Sequence, residues 1–223
     1  MTLPAVIFDL DGTLVDSEPN YFEAGRRLLA GHGIDDFTWE QHARFIGIGT
    51  RETLETLHAE YGLSASVQEL LDAKNRLYLR LAREATHVFP GMRAFVDLLH
   101  AEGHPMAVAS GSSREAIAAV LAGTGLGAVL TTVVSAEEVP RGKPQPDVFL
   151  EAAARLGVDP ADCVVVEDAP PGAEAAHRAG MRCVAVPYLP SQADDPAFAT
   201  AGLLVRGGQH SFDARAVHAW LTS

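Results

Sequence analysis

The chain opens with a short apolar run that ends in two acidic residues, Asp9 and Asp11, followed by Gly12. The run over residues 5–8 is too short for a helix and is apolar at every position, which predicts a strand buried on both faces. Such strands belong to parallel sheets that helices cover on both sides. A turn explains why Asp11 and Gly12 are adjacent, but it does not explain the additional negative charge of Asp9. Ligands of open α/β sheets bind beyond the strands' carboxyl ends, so Asp9 is a candidate functional residue.

Composition and charge favour a folded protein that binds neither nucleic acid nor membranes. Of 223 residues, 48% are hydrophobic and 21% are charged, which predicts a sizeable packed core and argues against disorder. The formal net charge of −12 is expected to repel nucleic acid and anionic membranes. No apolar run approaches the roughly 20 residues of a membrane span, and no secretion signal is recognisable at the N-terminus. We therefore expect a cytoplasmic protein.

Cysteine and histidine usage predicts no metal site. Cys163 and Cys183 open strand-like runs and lack the spacing of a metal-binding knuckle, so we interpret them as buried, reduced thiols. The nine histidines form no His-Glu-x-x-His or similar pattern. We interpret them as scattered surface or core residues.

The chain divides into a helical segment and an alternating segment. Residues 17–86 contain helix signals without a strand, including the capping boxes Thr38-x-x-Gln41 and Ser66-x-x-Glu69 and a predicted cap at Thr50. From residue 87 onward, strands alternate with helices, which predicts a doubly wound parallel sheet. The predicted strands cover residues 106–109, 129–134, 163–166, 183–186 and 203–205. We expect a catalytic core formed by residues 1–16 and 87–223, with an all-helical cap domain at 17–86.

Polar side chains follow several of the predicted strands. Asp9 and Asp11 follow the first predicted strand, and Ser110 follows the strand at 106–109. Lys143 lies in the loop after the strand at 129–134, and Glu167 and Asp168 follow the strand at 163–166. Short right-handed crossovers bring such strand ends to one edge of a sheet. Each feature alone has an ordinary explanation as a helix cap, a solvated lysine or a turn. Their convergence favours a functional site.

A phosphate ester gives each of these residue types a chemical role. Asp9 can attack phosphorus and form an aspartyl-phosphate, while Asp11 can protonate the leaving oxygen and later accept a proton from water. Ser110 precedes a helix N-terminus, which favours an anion. Lys143 supplies positive charge to the transferring phosphoryl group.

The clustered carboxylates predict a hard divalent cation. Three or four acids within a few ångströms cannot all remain charged without a partner. Mg²⁺ takes one or two carboxylates together with water and substrate phosphate. Asp9 and Asp168 are the expected direct ligands, and Glu167 is expected to bind directly or through water.

Two cations in the helical segment are candidate substrate contacts. Lys74 lies in an apolar row at helical spacing, where it can extend to solvent or face the crevice and contact substrate. Arg51 lies in the first turn of its helix, where the helix dipole disfavours a cation unless an anion is held nearby. The spacing Ser112-x-x-Glu115 also predicts a capping box for the helix after Ser110.

Taken together, these residues resemble the haloacid dehalogenase superfamily of phosphohydrolases, in the branch with a helical cap inserted after the first strand. The resemblance rests on four motifs in order: Asp9-x-Asp11-Gly12-Thr13, Ser110, Lys143-Pro144 and Glu167-Asp168. It implies a Rossmann-like core, Mg²⁺ dependence, Asp9 as nucleophile and Asp11 as general acid/base. It also implies that the Asp11 carbonyl binds the metal and that the cap closes over the site. We assign substrate binding to Thr13, Gly47, Arg51, Lys74, Ser110, Gly111 and Ser112.

Further residues indicate the branch within the superfamily. Asp11 argues against dehalogenation, since dehalogenases lack that acid, and residues 12–19 look like those of sugar-phosphate phosphatases. A β-phosphoglucomutase is the alternative, because Lys74-Asn75 and the Gly47 loop are similar to its cap. Tyr21, however, stands where that mutase has a histidine. We expect a monomer that hydrolyses a small phosphorylated metabolite.

A receiver-type phosphoacceptor module is a further, non-enzymatic alternative. Such a module also surrounds Mg²⁺ with acids, a hydroxyl and a lysine on a doubly wound sheet. Its phosphorylated aspartate ends a middle strand, however, and no long helical insertion follows its first strand. The order of elements here argues against it.

Overall fold

The computed structural model describes residues 3–46 and 48–223, which form two sheets and their covering helices. The strands, in chain order, are β1 (Ala5–Phe8), β2 (Val15–Asp16), β3 (His87–Val88), β4 (Met106–Ser110), β5 (Thr132–Ser135), β6 (Cys163–Glu167), β7 (Arg182–Ala185) and β8 (Leu203–Leu204). The helices are α1 (Glu18–Ala30), α2 (Trp39–Ala43), α3 (Thr50–Tyr61), α4 (Val67–Ala85), α5 (Pro90–Glu102), α6 (Arg114–Thr124), α7 (Asp147–Leu156), α8 (Pro170–Arg178) and α9 (Ala214–Leu221).

The main sheet has six strands in the order β5-β4-β1-β6-β7-β8, and all its pairs are parallel. β1 is central, with Val6 opposite Met106 on one side and Val164 on the other. Parallel strands need crossover connections, and the intervening helices supply them. The predicted α/β class with a doubly wound, Rossmann-like sheet is confirmed.

Helices cover both faces of the sheet, which explains the uninterrupted apolar run at β1. Side chains alternate between faces along a strand, so Val6 and Phe8 pack with α5, α6 and α9, while Ala5 and Ile7 pack with α7 and α8. Every residue of β1 is fully buried. Burying a side chain such as Phe8 contributes about 1.5–3 kcal/mol.

The helices between β2 and β3 pack around an apolar cluster of their own, which includes Leu29, Leu54 and Leu70. The predicted capping boxes at Thr38 and Ser66 are both present. The chain enters and leaves this segment through an antiparallel pair, in which Val15 lies opposite Val88. Within the described ranges, no helix is long and apolar enough to cross a bilayer.

Several boundaries differ from the predictions for physical reasons. The strand expected from residue 129 begins at Thr132, because the chain first makes a 3-10 turn over Leu126–Ala128. Gly49, and not Thr50, precedes the first turn of α3. Ser113, and not Ser112, caps α6, where its hydroxyl accepts from the Ala116 amide at 3.2 Å.

Candidate active site

The carboxyl edge of the main sheet brings together the polar residues that follow the strands. β1, β4 and β6 end beside one another, so Asp9, Ser110 and Glu167 lie at the same edge. The loop after β5 adds Lys143. With Asp11, Gly111, Ser112 and Asp168, these residues line a cleft of about 540 Å³. The convergence predicted from strand order is present in the structure.

Lys143 connects two carboxylates on neighbouring strands. Its Nζ lies 2.5 Å from Asp9 Oδ1 and 2.8 Å from Glu167 Oε1, and it also donates to the Ala109 carbonyl at 3.2 Å. Burial opposes the charge of Lys143, but the adjacent carboxylates outweigh burial and raise its pKa. The ammonium is therefore a fixed positive charge at the floor of the cleft.

Burial has the opposite effect on Asp9. Loss of solvent raises the pKa of its carboxyl to about 7; Lys143 lowers the pKa, and the charges of Glu167 and Asp11 raise it further. A cation placed beside Asp9 would reverse this direction, because it favours the ionised carboxylate. The cluster therefore gains most from a ligand that carries positive charge.

The two acids after β6 are held by different partners. Glu167 Oε2 accepts from the amides of Asp168 (2.7 Å) and Ala169 (2.8 Å). Asp168 Oδ1 accepts from the Thr13 hydroxyl at 2.7 Å. Burial and the charges of Glu167 and Asp9 raise the pKa of Asp168 well above its usual range. Asp168 is thus a second buried acid that a cation would stabilise.

Two glycines are required for these acids to approach the loops beside them. A Cβ on Gly172 would lie 1.6 Å from Glu167 Oε1, and one on Gly12 would lie 2.4 Å from Asp168 Oδ2. Gly12 also has a φ of +82°, a conformation that side chains disfavour. The space beside both carboxylates is kept free by the absence of a side chain.

Asp11 is surrounded by hydroxyl groups. Its Oδ2 accepts from Ser112 at 2.7 Å and Ser110 at 3.3 Å, and its Oδ1 accepts from Tyr78 at 3.1 Å. Tyr21 hydrogen-bonds to Ser112 at 3.0 Å and stacks on the Tyr78 ring with centroids 4.1 Å apart. Ser112 is therefore part of the site rather than a helix cap, which corrects the sequence prediction for its side chain.

The helices of residues 18–85 form the other wall of the cleft. Their polar lining residues are Glu18, His42, Thr50, Glu52, Thr53 and Lys74. Lys74 is buried, with Nζ 5.6 Å from the centre of the Tyr21 ring. Burial lowers its pKa to about 8, although the charge of Glu18 acts in the opposite direction. His42 Nε2 lies 2.9 Å from Glu18 Oε2.

Two residues assigned to substrate binding, Arg51 and Thr13, are not among the described residues that line the cleft. Arg51 is exposed and donates to Gln68 Oε1 at 2.6 Å, since the first turn of α3 faces α4 there. Thr13 is fully buried, and its hydroxyl donates to Asp168 Oδ1. Gly47 lies outside the described residues.

Some residues of the site had only weak sequence signals. Tyr78 lies four positions after Lys74, so both occupy one face of α4, and that spacing could have identified it. Gln209 comes from the C-terminal part of the chain, and its Nε2 donates to the carbonyls of Gly12 (3.2 Å) and Thr13 (2.9 Å). No local pattern marks Gln209.

The charge balance of the cleft fits a divalent metal ion. Among its described lining residues, six are Asp or Glu and two are Lys. Carboxylate oxygens are the ligands that Mg²⁺ prefers, and two of these acids have pKa values raised mainly by burial. The donor chemistry of Asp9 and Asp168 therefore suits Mg²⁺.

Comparison with known sequences identifies relatives over most of the chain. The family profile described as haloacid dehalogenase-like hydrolase matches residues 6–186. The chain is 33% identical over 198 residues to hexitol phosphatase B of Escherichia coli K12, covering 88% of this chain and 89% of that protein. It is 36% identical over 191 residues to a beta-phosphoglucomutase of Bacillus subtilis, covering 82% and 83%.

Longer relatives and solved structures also match. The chain spans 49% of a bifunctional riboflavin kinase/FMN phosphatase of Arabidopsis thaliana, at 34% identity over 190 residues, or 84% of this chain. The crystal structure of a haloacid dehalogenase-like protein from Agrobacterium tumefaciens superposes with a TM-score of 0.80 at 30% identity. That superposition covers 99% of this chain and 100% of the other.

Proposed function

Because the chain belongs to the haloacid dehalogenase-like hydrolases and is a phosphoric monoester hydrolase by its relatives, we propose that it hydrolyses a sugar phosphate through an aspartyl-phosphate, with Mg²⁺. One observation carries the proposal. Asp9 is paired with Lys143 at 2.5 Å at the end of β1, and Asp11 lies two residues later among three hydroxyl donors.

The proposed reaction has two displacements on phosphorus. In the first, an oxygen of Asp9 bonds to phosphorus while the ester bond breaks, and the Asp11 carboxyl gives its proton to the leaving alkoxide. In the second, water attacks the aspartyl-phosphate, Asp11 accepts the water proton, and the bond from phosphorus to Asp9 breaks. The products are an alcohol and inorganic phosphate.

The residues around the two acids would orient the phosphoryl group. Lys143 supplies charge at Asp9 and stabilises the equatorial oxygens in the transition state. Ser110 lies at the end of β4, close to the N-terminus of α6, where an anion is favoured. Gly111 and Ser112 line the same side of the cleft and would bind phosphate oxygens.

The hydrogen bonds that each acid already makes indicate whether it would bind the metal ion directly or through water. Asp9 and Asp168 would bind the ion directly, together with the Asp11 carbonyl. Glu167 has Oε1 on Lys143 and Oε2 on two amides, so it would contact the ion through water. When bound, Mg²⁺ would neutralise charge on the phosphoryl group and on the clustered acids.

The helical wall supports a hydroxylated substrate. Glu18, His42 and Thr53 offer hydrogen-bonding groups above the phosphate end of the cleft, and Lys74 offers a cation. We propose that residues 17–86 act as a cap domain that closes on the core formed by 1–16 and 87–223, excludes water and selects the sugar. The relatives named for hexitol and phosphorylated carbohydrate phosphatases act on such compounds.

A phosphomutase is the second candidate, favoured by the identity to a beta-phosphoglucomutase. Tyr21 argues against it, because its hydroxyl is engaged by Ser112 and its ring stacks on Tyr78. Tyr21 therefore offers no free base to activate a sugar hydroxyl. β-Glucose 1-phosphate supplied with a bisphosphate primer would yield glucose 6-phosphate from a mutase and free phosphate from a phosphatase.

Release of phosphate from a panel of phosphorylated sugars, polyols and small acids tests the proposal. Asp9→Asn should lose activity by roughly 10⁴-fold or more, with an unchanged circular dichroism spectrum. Asp97→Asn is the matched control, because Asp97 is exposed and pairs with Arg93 on α5. If Asp9→Asn hydrolysed these substrates at the parent rate, Asp9 would not be the nucleophile.

Removing metal tests the cofactor. Excess EDTA should abolish phosphate release, and excess Mg²⁺ should restore it, because the buried acids and the substrate phosphate would otherwise repel one another. Activity that persists in EDTA would contradict the metal role while leaving Asp9 unaffected.

We further propose a cytoplasmic monomer acting on a small metabolite. Cys163 and Cys183 are buried and free of disulfides, which is consistent with a reducing compartment. Within the described residues, large apolar side chains are exposed at only four positions, Leu3, Trp39, Ile48 and Leu150, which leaves little apolar surface for a stable dimer.

A further inference from the structure

A cluster of two imidazoles and one carboxylate lies at the opposite end of the molecule from the cleft. Glu102 ends α5, His104 lies in the turn before β4, and His218 lies on α9. β4 runs from Met106 to Ser110, and Ser110 lies in the cleft. His104 precedes the other end of β4, so the cluster lies at the opposite edge of the sheet. The proposed reaction uses none of these residues.

His104 presents a ring nitrogen that has no hydrogen-bond partner in the described part of the chain. Its Nδ1 lies 2.9 Å from the Pro4 carbonyl oxygen, and a carbonyl only accepts, so Nδ1 carries the proton. In the neutral ring Nε2 is then an acceptor. This Nε2 is buried and, within residues 3–46 and 48–223, has no hydrogen-bond partner, although the His104 side chain is fully enclosed. Buried polar atoms rarely remain unpaired.

The atoms around His104 Nε2 are of the types that bind metal ions. Glu102 Oε2 lies 3.7 Å from His104 Nε2 and 2.8 Å from His218 Nε2. All three ligand atoms lie within 4.8 Å of one another. Ligands of a tetrahedral zinc ion are separated by roughly 3.3 Å, given bonds of about 2.0–2.1 Å. A shift of the partly exposed Glu102 and His218 side chains would therefore complete the geometry.

We propose that Glu102, His104 and His218 bind one divalent transition-metal ion, with zinc as the preferred occupant. Two histidines and one carboxylate are a recognised zinc ligand set with a fourth position for water. The Pro4 carbonyl fixes the tautomer of His104 in the way that outer-sphere partners do in metal sites. Imidazole ligands favour Zn²⁺ over Mg²⁺, so this site differs chemically from the carboxylate cluster.

The consequence of occupancy is structural. The ion would join the end of α5 to α9 and to the turn that leads into β4. α5 and α9 already pack together on one face of the sheet. Because only the folded chain brings the ligands together, zinc binding would stabilise the fold. The bound ion would lie far from the hydrolytic cleft and would leave phosphate release unchanged.

Zinc titration of metal-stripped protein in excess Mg²⁺ tests this site. We expect one zinc ion per chain by calorimetry, a higher melting temperature with zinc, and the visible absorption bands of tetrahedral cobalt when Co²⁺ replaces zinc. His104 is buried, and its replacement would also test folding. The variants are therefore His218→Ala and Glu102→Gln, each expected to weaken binding by at least about tenfold.

His177→Ala is the control, because His177 is exposed on α8 and lies outside the cluster. It should bind zinc as the parent does, and all three variants should retain Mg²⁺-dependent phosphate release. Parent-like zinc affinity in both His218→Ala and Glu102→Gln would overturn the proposal. So would the absence of any stoichiometric zinc binding, or binding abolished by Asp168→Asn instead.

Discussion

The two walls of the cleft are built in different ways. On the sheet wall, Lys143, Glu167 and Asp168 are buried or nearly so and are bonded to one another, to backbone amides or to Thr13. On the helical wall, Lys74 and the pair formed by Glu18 and His42 project from separate helices. The sheet wall is a connected network of charges, whereas the helical wall is a set of separate contacts.

This difference suggests that the sheet wall carries out the phosphoryl transfer and that the helical wall selects the substrate. Strand ends are held by the sheet's hydrogen bonds, so groups placed there keep the accurate geometry that phosphoryl transfer requires. Helices of an inserted segment can change their side chains without disturbing the sheet. We therefore expect substitutions on the sheet wall to change kcat and stability. Substitutions on the helical wall should change KM, except at Tyr78, which contacts Asp11.

The largest effect in this comparison is expected for Lys143→Met on the sheet wall. The substitution leaves the buried Asp9 and Glu167 without their shared cation. Breaking such a buried pair costs about 3–5 kcal/mol, and losing the transition-state charge costs roughly 10²–10³-fold in kcat. Urea unfolding and steady-state kinetics measure the two losses, and Lys143→Arg, which keeps the charge, should be less affected in stability.

The same variant should change how stability depends on pH. Lys143 lowers the pKa of Asp9, so its removal should raise that pKa above about 7. The folded state then binds more protons than the unfolded state between the unfolded pKa and the folded one, so stability falls as pH rises through this range. Metal-free Lys143→Met should therefore gain stability from pH 8 to pH 5 relative to the parent. An identical pH profile would contradict the pairing.

A smaller effect is expected for Lys74→Met on the helical wall. If the Lys74 ammonium contacts an anionic substrate, its loss should raise KM by roughly tenfold with little change in kcat, the cost of a charged hydrogen bond. The pKa of Lys74 is lowered to about 8, so the parent should lose this contact as pH rises through 8. The variant should lack that alkaline rise in KM. A lower kcat at constant KM would place Lys74 with the chemistry instead.

The smallest effect is expected for Tyr78→Phe, where the helical wall contacts Asp11. One of three hydroxyl donors to Asp11 is lost, at about 0.5–1.5 kcal/mol, or roughly 2- to 13-fold in kcat. Tyr61→Phe is the control, since Tyr61 accepts from Gln41 away from the cleft. Equal effects of the two substitutions would show that Tyr78 acts through general packing.

The sequence predicted the features that depend on neighbouring residues and missed those that depend on contacts between distant residues. Asp9, Asp11 and Glu167 were identifiable because they follow apolar strand runs, and Thr38 and Ser66 because a capping box lies within four residues. Ser112 had the spacing of a cap, yet its hydroxyl bonds to Asp11. Two local patterns overlap at Ser112 and Ser113, and only the position of Asp11 decides between them.

Arg51 shows the same limit. Its place in the first turn of α3 suggested an anion nearby, but Gln68 on the next helix supplies the acceptor. The irregular spacing of the histidines predicts scattered residues. Glu102 and His104 nevertheless meet His218, 116 residues from Glu102.

The sequence by itself determined the alternation of strands and helices, the helical insertion and the acids at the strand ends, because periodicity, capping and turn residues act over a few positions. Only the tertiary structure decided which hydroxyls hold Asp11, which cations enter the cleft and which histidines meet. Those outcomes depend on how helices pack across the sheet, and packing joins residues that no local pattern connects.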